Sequence, residues 1–388
     1  MRTGGIAIAS ALLALVLGIF LGGHPELLPG PLRDAFVEED RALRAELIDT
    51  IEENFYKPVD ESSLDDASLK GIVESLEDPY SHYLTPDEAD SLKESISGEF
   101  EGVGMSVEED RRGLRVLNVF DGSPAKAAGI GKGDLIVSVN GRSLAGVNSE
   151  VATGRIKGPA GTEVKLEVFS PGAEDTRTVR VERERIEVPM SRSRVVTREG
   201  RKLGVVELLG FSSGAHGALR REIDRVTERG AGGLVLDLRG NGGGLLSEAV
   251  LVSSVFIEDG EIVSVRGRSR PERTEDAEGD AIDEDIPVVV LVDGGSASAS
   301  EIVAGALRDR GRAKLVGTST FGKGLVQEVE PLTNGGYLDL TVANYYLPSG
   351  KTISRRGLKP DIRARDNERT ERDEALPVAL DALAGQAR

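Results

Sequence analysis

The chain has 388 residues, 39% of them hydrophobic, with a formal charge of −18; against the roughly 100–200 residues of a typical domain, two or three domains with a sizeable core are expected. An acidic chain lacks the basic face that phosphate neutralisation needs, so nucleic acid is excluded as a general partner. With no cysteine and only three histidines, His24, His82 and His216, none in a ligand spacing, thiol catalysis, disulfides and metal sites drop out, and neither a metal nor another cofactor is expected.

Residues 4–23, GGIAIASALLALVLGIFLGG, run uncharged behind Arg2, long enough to cross a hydrocarbon core as a transmembrane helix. No Ala-x-Ala pattern precedes the polar HPELLPGP stretch, so an uncleaved membrane anchor over 1–23 is expected, with secretion after signal cleavage as the alternative. Arg2, by the positive-inside rule, places the rest on the extracytoplasmic side of the cytoplasmic membrane. Beyond it, Leu43, Leu47, Ile48, Ile51 and Phe55 recur at helical spacing, and so do Leu69, Ile72, Val73 and Leu76. DPYSHYL then supplies a turn, and a third helix starts near Thr85 with Pro86 in its first position. Together these make a small helical domain over 24–96, in which His82 is a structural residue.

Alternating apolar residues on either side of DRRG, within GEFEGVGMSVEEDRRGLRVLNVF, imply a hairpin. Strand signals continue through GDLIVSVNG and TEVKLEVFSPGAEDTRTVRVERERI, with a short helix at SEVATGRIKG. FEGVGM followed by GSPAKAAGIGKGDLIVSVNG resembles a PDZ domain of the kind found in bacterial proteases, over residues 97–184. The physical reading agrees. Gly102 and Gly104 let the backbone N–H groups of Gly102, Val103, Gly104 and Met105 converge on a peptide's terminal carboxylate, while the next strand pairs with the extended peptide. A glycine-rich strand entrance without a ligand is the alternative.

From about residue 186, buried strands alternate with helices: KLGVVELLGF, GAHGALRREIDRVTERG, GLVLDLRG, LLSEAVLVSSVFI, IPVVVLVDGG, SASASEIVAGALRDRG and AKLVGT, then the extended LVQEVEPL and GYLDLTVANYYLP. Continuous apolar strands between helices imply an α/β core whose sheet is buried on both faces. The charged segment 266–287 is expected to be a solvated loop, and the tail 366–388 a short helix after a polar linker that could serve a dimer.

Three features of this core carry chemistry. GSASASE follows a buried strand and opens a helix, where free N–H groups would stabilise an oxyanion; Ser298 and Glu301 also stand at capping-box spacing, which needs no catalysis. GTSTFGKG, 317–324, nearly matches a phosphate loop but ends in Gly324 and precedes a strand, so a nucleotide site is not expected. Lys323 between glycines suits a partly desolvated amine, neutral and able to take a proton from serine. DLRGNGGG, 237–244, is a glycine turn that brings backbone N–H groups close to a carbonyl, or simply a tight strand-to-helix turn. Asp237 and Arg239 read as structural partners, and His216 as no base.

In this order, behind a PDZ domain, the three elements resemble the carboxyl-terminal processing, or tail-specific, serine proteases, and the likeness spans nearly the whole chain beyond the anchor. It implies a multidomain α/β protein with a protease core of the ClpP/crotonase-like type over 185–365. It also implies an endopeptidase that recognises free, apolar protein C-termini through its PDZ domain and cuts near them. Carried over, the nucleophile falls on Ser298, the general base on Lys323 and the residue orienting that lysine on Gln327, with Glu301 as support. The oxyanion hole falls on the N–H of Ala299 with one from Gly243 or Gly244. The resemblance further implies that the PDZ domain gates the site, with a homo-oligomer or a regulatory adaptor as possible partners. A noncatalytic PDZ scaffold is the alternative, against which Ser298, Lys323 and Gln327 all stand.

Overall fold

The computed structural model describes residues 39–57, 59–269, 271–367, 370 and 372–386. The apolar run at 4–23, expected to be an anchor, lies outside them; among the described residues no helix is long and apolar enough to cross a membrane. Contacts divide the chain into two units, one up to Thr85 and one from Pro86 onward.

The first unit holds α1 (Glu39–Asn54), α2 (Glu61–Glu74) and the short β1 (His82–Leu84). Asp60 starts α2 by accepting from the Ser62 N–H, which satisfies one of the donors that a helix start leaves open. In DPYSHYL, Asp78 accepts from the Tyr80 N–H and the Ser81 hydroxyl and so closes the turn. Tyr83 donates to Asp66 of α2, and His82 is exposed.

The second unit opens with α3 (Pro86–Ser97), led by the expected proline. The segment expected to be a PDZ domain follows as β2 (Glu99–Gly102), β3 (Met105–Asp110), β4 (Gly113–Val119), α4 (Pro124–Ala127), β5 (Leu135–Val139), β6 (Arg142–Ser143), α5 (Ser149–Ile156), β7 (Glu163–Phe169), β8 (Arg177–Glu182) and β9 (Glu184–Glu187). β3 and β4 are the expected antiparallel hairpin, Met105 opposite Val119. The sheet runs β3-β4-β5-β7-β8 with β6 on β5, while β2 pairs with β9. Alternate residues point inward, Leu114 and Val116 from β4 and Val164, Leu166 and Val168 from β7, forming one apolar core. β3 ends the sheet, so its outer edge is open to pairing among the described residues.

The core comprises β10 (Ser191–Arg198), β11 (Arg201–Leu208), α6 (Ala215–Glu228), β12 (Leu234–Asp237), α7 (Leu246–Ser254), β13 (Glu261–Gly267), β14 (Arg273–Asp276), β15 (Val288–Val292), α8 (Ala299–Asp309), β16 (Ala313–Gly317), β17 (Leu325–Pro331), β18 (Tyr337–Tyr346), β19 (Ile362–Arg363) and α9 (Ala375–Gln386). Its main sheet has the order β10-β11-β12-β15-β16-β19, parallel from β11 onward. Val206, Leu236, Val290 and Leu315 lie side by side in register and pack with residues of α6, α7 and α8 in the largest apolar cluster. Their neighbours Val205, Val235 and Val289 face the other way, where Leu376, Ala379, Leu380 and Leu383 of α9 cover them. The expected burial on both faces is thus achieved on the second face by the tail. Its apolar stripe packs on its own chain's sheet.

The charged segment 266–287 departs from its expected loop. β14 pairs antiparallel with β13, Arg273 opposite Val265, and Ile282 is buried with its N–H on the Val255 carbonyl. Arg-Thr-Glu-Asp carries no apolar alternation, so this strand exists through backbone pairing to a neighbour, which local pattern does not reveal.

Candidate active site

β15 is followed by Asp293, whose Oδ1 accepts from the N–H groups of Gly295, at 2.9 Å, and of Gly240, also at 2.9 Å. One carboxylate therefore folds the serine run and the glycine turn against each other. The three serines then part company. Ser296 donates its hydroxyl to the Leu238 carbonyl at 2.7 Å, and Ser300 donates to the Asn241 carbonyl at 2.8 Å. Both are fully buried clamps on the glycine turn. Ser298 instead lines a cavity of about 610 Å³ shared with Lys323, Gln327, Tyr345 and the turn glycines 242–244.

Ser298 is the N-cap of α8, with φ +54° and ψ −114°, a left-handed backbone that costs a serine about 1–3 kcal/mol and persists only where its surroundings impose it. The surroundings are Glu301 and Gly243. A side chain at Gly243, φ +99°, would reach within 2.7 Å of the Ala297 carbonyl and 2.9 Å of the Ala299 nitrogen, so only glycine lets the turn lie this close. The Gly243 N–H is taken by Asn241 Oδ1 at 2.9 Å. Among the described residues, the N–H groups of Ala299 and Gly244 meet no acceptor. The former is at the positive end of α8.

Glu301, fully buried, gathers four donors. Its Oε2 accepts from the Ser298 N–H at 3.0 Å and the Lys323 N–H at 2.9 Å. Its Oε1 accepts from the Gly322 N–H at 2.9 Å and from the Thr320 hydroxyl. Sequence spacing shows only its reach back to the Ser298 N–H. The structure adds the loop 318–324, which β16 feeds and β17 leaves, so no helix follows the glycines and the phosphate-loop likeness stays superficial. The Phe321 N–H on the Ser296 carbonyl, 3.0 Å, ties the same loop to the serine run.

Lys323 is half-buried and faces the cavity with Gln327, whose amide donates to the Thr341 hydroxyl at 3.4 Å. Tyr345, buried on β18, lines the same cavity as Ser298. Burial pushes its phenol up to about 12, the Ser298 hydroxyl pulling the other way. Sequence reasoning passed over this residue within an extended stretch; the alternation of buried Ala343, Tyr345 and Leu347 is the period-two signal that marks it as inward-facing.

His216, Asp237 and Arg239 lie outside this cavity. Glu248 accepts from the N–H groups of Gly214 and His216 at the start of α6 and from His216 Nδ1 at 2.9 Å, so His216 is held at a helix start and does not line the cavity. Arg239 bonds Asp237, Asp366 and Asp373 together. Burial disfavours its charge, yet the carboxylates of Asp237 and Asp373 more than compensate, and its pKa rises. At the PDZ domain, Gly102, Val103, Gly104 and Met105 line a separate cavity of about 310 Å³ beside α5, open to the free edge of β3.

A serine at a helix start, a lysine held to it by one carboxylate, and a cavity along the free edge of β3 form the arrangement that the sequence led us to expect of a serine peptidase. Comparison with known proteins agrees. Residues 202–364 match the model of peptidase family S41, residues 91–169 that of the PDZ domain, and residues 43–88 that of the activating protease CtpB N-terminal domain. The carboxy-terminal processing protease CtpA of Bacillus subtilis is 34% identical over 360 residues, 92% of this chain and 76% of the relative. The carboxy-terminal-processing protease of Bartonella bacilliformis is 39% identical over 78% of this chain and 70% of its own. The solved structure of a photosystem II D1 C-terminal processing protease superposes with a TM-score of 0.51 at 30% identity, covering 88% of this chain and 97% of that one. The chain belongs to peptidase family S41, as a serine peptidase of the carboxy-terminal processing type with a PDZ domain for substrate recognition.

Proposed function

We propose that Ser298 is the nucleophile of this peptidase, Lys323 its general base and Gln327 the residue that orients the lysine. The observation that carries the assignment is the Glu301 carboxylate, which bonds the Ser298 and Lys323 amides to a single oxygen while both side chains line one cavity. Neutral Lys323 takes the hydroxyl proton as Ser298 Oγ attacks the scissile carbonyl. The carbonyl oxygen, now charged, accepts from the Ala299 N–H and from a second donor in the glycine turn. Since Gly243 gives its N–H to Asn241, Gly244 is the better-placed of the two. The C–N bond then breaks, Lys323 returns its proton to the leaving amine, and water activated by the same lysine releases the acyl group.

Substrates are protein tails with free, apolar C-termini. The carboxylate sits on the N–H groups around Gly102, Val103, Gly104 and Met105 and the tail pairs with the open edge of β3, so that a bound C-terminus delivers the chain to Ser298. The apolar run at 4–23 anchors the enzyme in the cytoplasmic membrane with the protease on the extracytoplasmic side.

The test incubates the protein with a loosely folded substrate bearing an apolar C-terminus and follows products by mass spectrometry, beside Ser298→Ala, Lys323→Ala and a substrate amidated at its terminus. Cleavage by the wild type alone, slowed by amidation, is expected. Cleavage by either variant at the wild-type rate would overturn the dyad, and indifference to amidation would overturn carboxylate recognition.

A further inference from the structure

We propose that Tyr345 is a further catalytic residue, its phenolic O–H donating to Ser298 Oγ and stabilising the charge that oxygen gains as its proton leaves. The inference rests on Ser298 being the nucleophile.

Tyr345 is placed by the same loop that places the lysine. Its backbone N–H donates to the carbonyl of Gly324, the residue after Lys323, at 3.0 Å, and its ring lines the cavity beside Ser298 and Lys323. The side chain is 5% exposed. A phenol buried to that extent needs a polar partner, and the Ser298 hydroxyl lies on the same cavity wall within its reach. Because burial raises the phenol to about 12, it remains protonated near neutral pH and able to donate.

The serine hydroxyl has one proton and two lone pairs. In the proposed step the proton passes to Lys323 while a lone pair of Oγ accepts from the Tyr345 O–H. As the O–H bond breaks, the proton passes to Lys323 Nζ. The electron pair left on Oγ forms the bond to the carbonyl carbon, and the C=O π pair moves to the carbonyl oxygen facing the Ala299 N–H. Tyr345 keeps its proton throughout. Its hydrogen bond is strongest where Oγ carries most charge, weakens once Oγ is an ester oxygen, and strengthens again as Oγ departs during deacylation. A bond that is stronger in the transition state than in the ground state raises kcat rather than lowering KM.

The experiment uses the full-length protein and Tyr345→Phe, measuring kcat, KM and the rate of inactivation by a fluorophosphonate, which reports the reactivity of Ser298 without any need for a protein tail. In the phenylalanine variant, kcat and the inactivation rate are expected to fall together by roughly 10- to 100-fold, the worth of one hydrogen bond to a charged oxygen, with KM within about twofold. An inactivation rate equal to or above that of the wild type overturns the proposal. A second variant carries 3,5-difluorotyrosine at position 345, which keeps the ring and makes the phenol more acidic. Since a phenolate cannot donate, its kcat is expected to fall at a lower pH on the alkaline side than that of the wild type. The other titratable groups lining the cavity, Lys323 and Asp339, are the same in both proteins, so an unshifted alkaline limb also overturns it. Ser298→Ala separates the two assignments: turnover retained there removes the nucleophile, while turnover lost there but kept in Tyr345→Phe removes only the tyrosine.

Discussion

Replacing Glu301 by glutamine changes one buried oxygen into an NH₂ group and tests the bracket directly. Four donors converge on this carboxylate, which as an ionised group offers about four lone-pair sites. Glutamine retains one oxygen and therefore two of them. With that oxygen facing the Ser298 and Lys323 amides, the new NH₂ faces the Thr320 hydroxyl and the Gly322 N–H. The hydroxyl can turn to accept, although it already accepts from the Leu358 N–H at 2.7 Å; the Gly322 N–H cannot, and is left buried without an acceptor. That orphan costs about 1–3 kcal/mol, and exchanging two charge-assisted bonds for neutral ones about 1 kcal/mol each. The total, about 3–5 kcal/mol, is a large part of a domain's usual 5–15 kcal/mol. Urea unfolding should register this loss, and single-turnover cleavage should fall by about 100-fold or more because Ser298 and Lys323 lose their common anchor. Stability within about 1 kcal/mol of the wild type together with an unchanged rate would show that the bracket does not hold the site.

Ser298→Gly relieves the left-handed backbone at φ +54° and is expected to raise stability by up to about 1 kcal/mol while abolishing turnover; thermal unfolding beside the activity assay checks both. Ser300→Ala removes the bond to the Asn241 carbonyl and should cost about 1–2 kcal/mol in stability yet still leave measurable cleavage, an outcome that total inactivity of the folded variant would contradict. At Gly104, φ +81°, an added Cβ would sit 2.3 Å from Ser123 Cβ, so Gly104→Ala should weaken binding of a fluorescent C-terminal peptide by roughly tenfold or more without slowing fluorophosphonate inactivation. Burial would raise the Asp373 carboxyl, but hydrogen bonds from Arg239 and the Leu376 N–H hold it below its ordinary value. Its contribution to docking α9 is therefore present at neutral pH and is lost as pH falls through the folded value, below about pH 4. Pepsin digestion there should cut at Leu376, Leu380 and Leu383 of α9 before it cuts the main sheet, and simultaneous cutting would contradict this role.

What local sequence determines in this protein is whatever depends on near neighbours. The DRRG hairpin, the strand and helix alternation of the core, Pro86 at a helix start and the reach of Glu301 to the Ser298 N–H all follow from residues a few positions apart, and the motif order was enough to indicate the family. Tertiary structure decided the rest, because each remaining feature joins residues far apart in the chain. Three serines at alternate positions are equivalent until the turn 58 or 59 residues earlier accepts from Ser296 and Ser300 and leaves Ser298 to the cavity. Glu301 reads as a cap until the loop 19–22 residues later closes on it. β14 has no pattern of its own and forms by pairing with β13, and the tail's apolar stripe finds its partner only on the back of a sheet assembled from β11, β12, β15 and β16. Tyr345 looks like one more strand residue until folding brings it to the cavity of a serine 47 positions before it. Hydrogen bonds and burial pair atoms by position in space, and chain separation places no limit on which atoms those are.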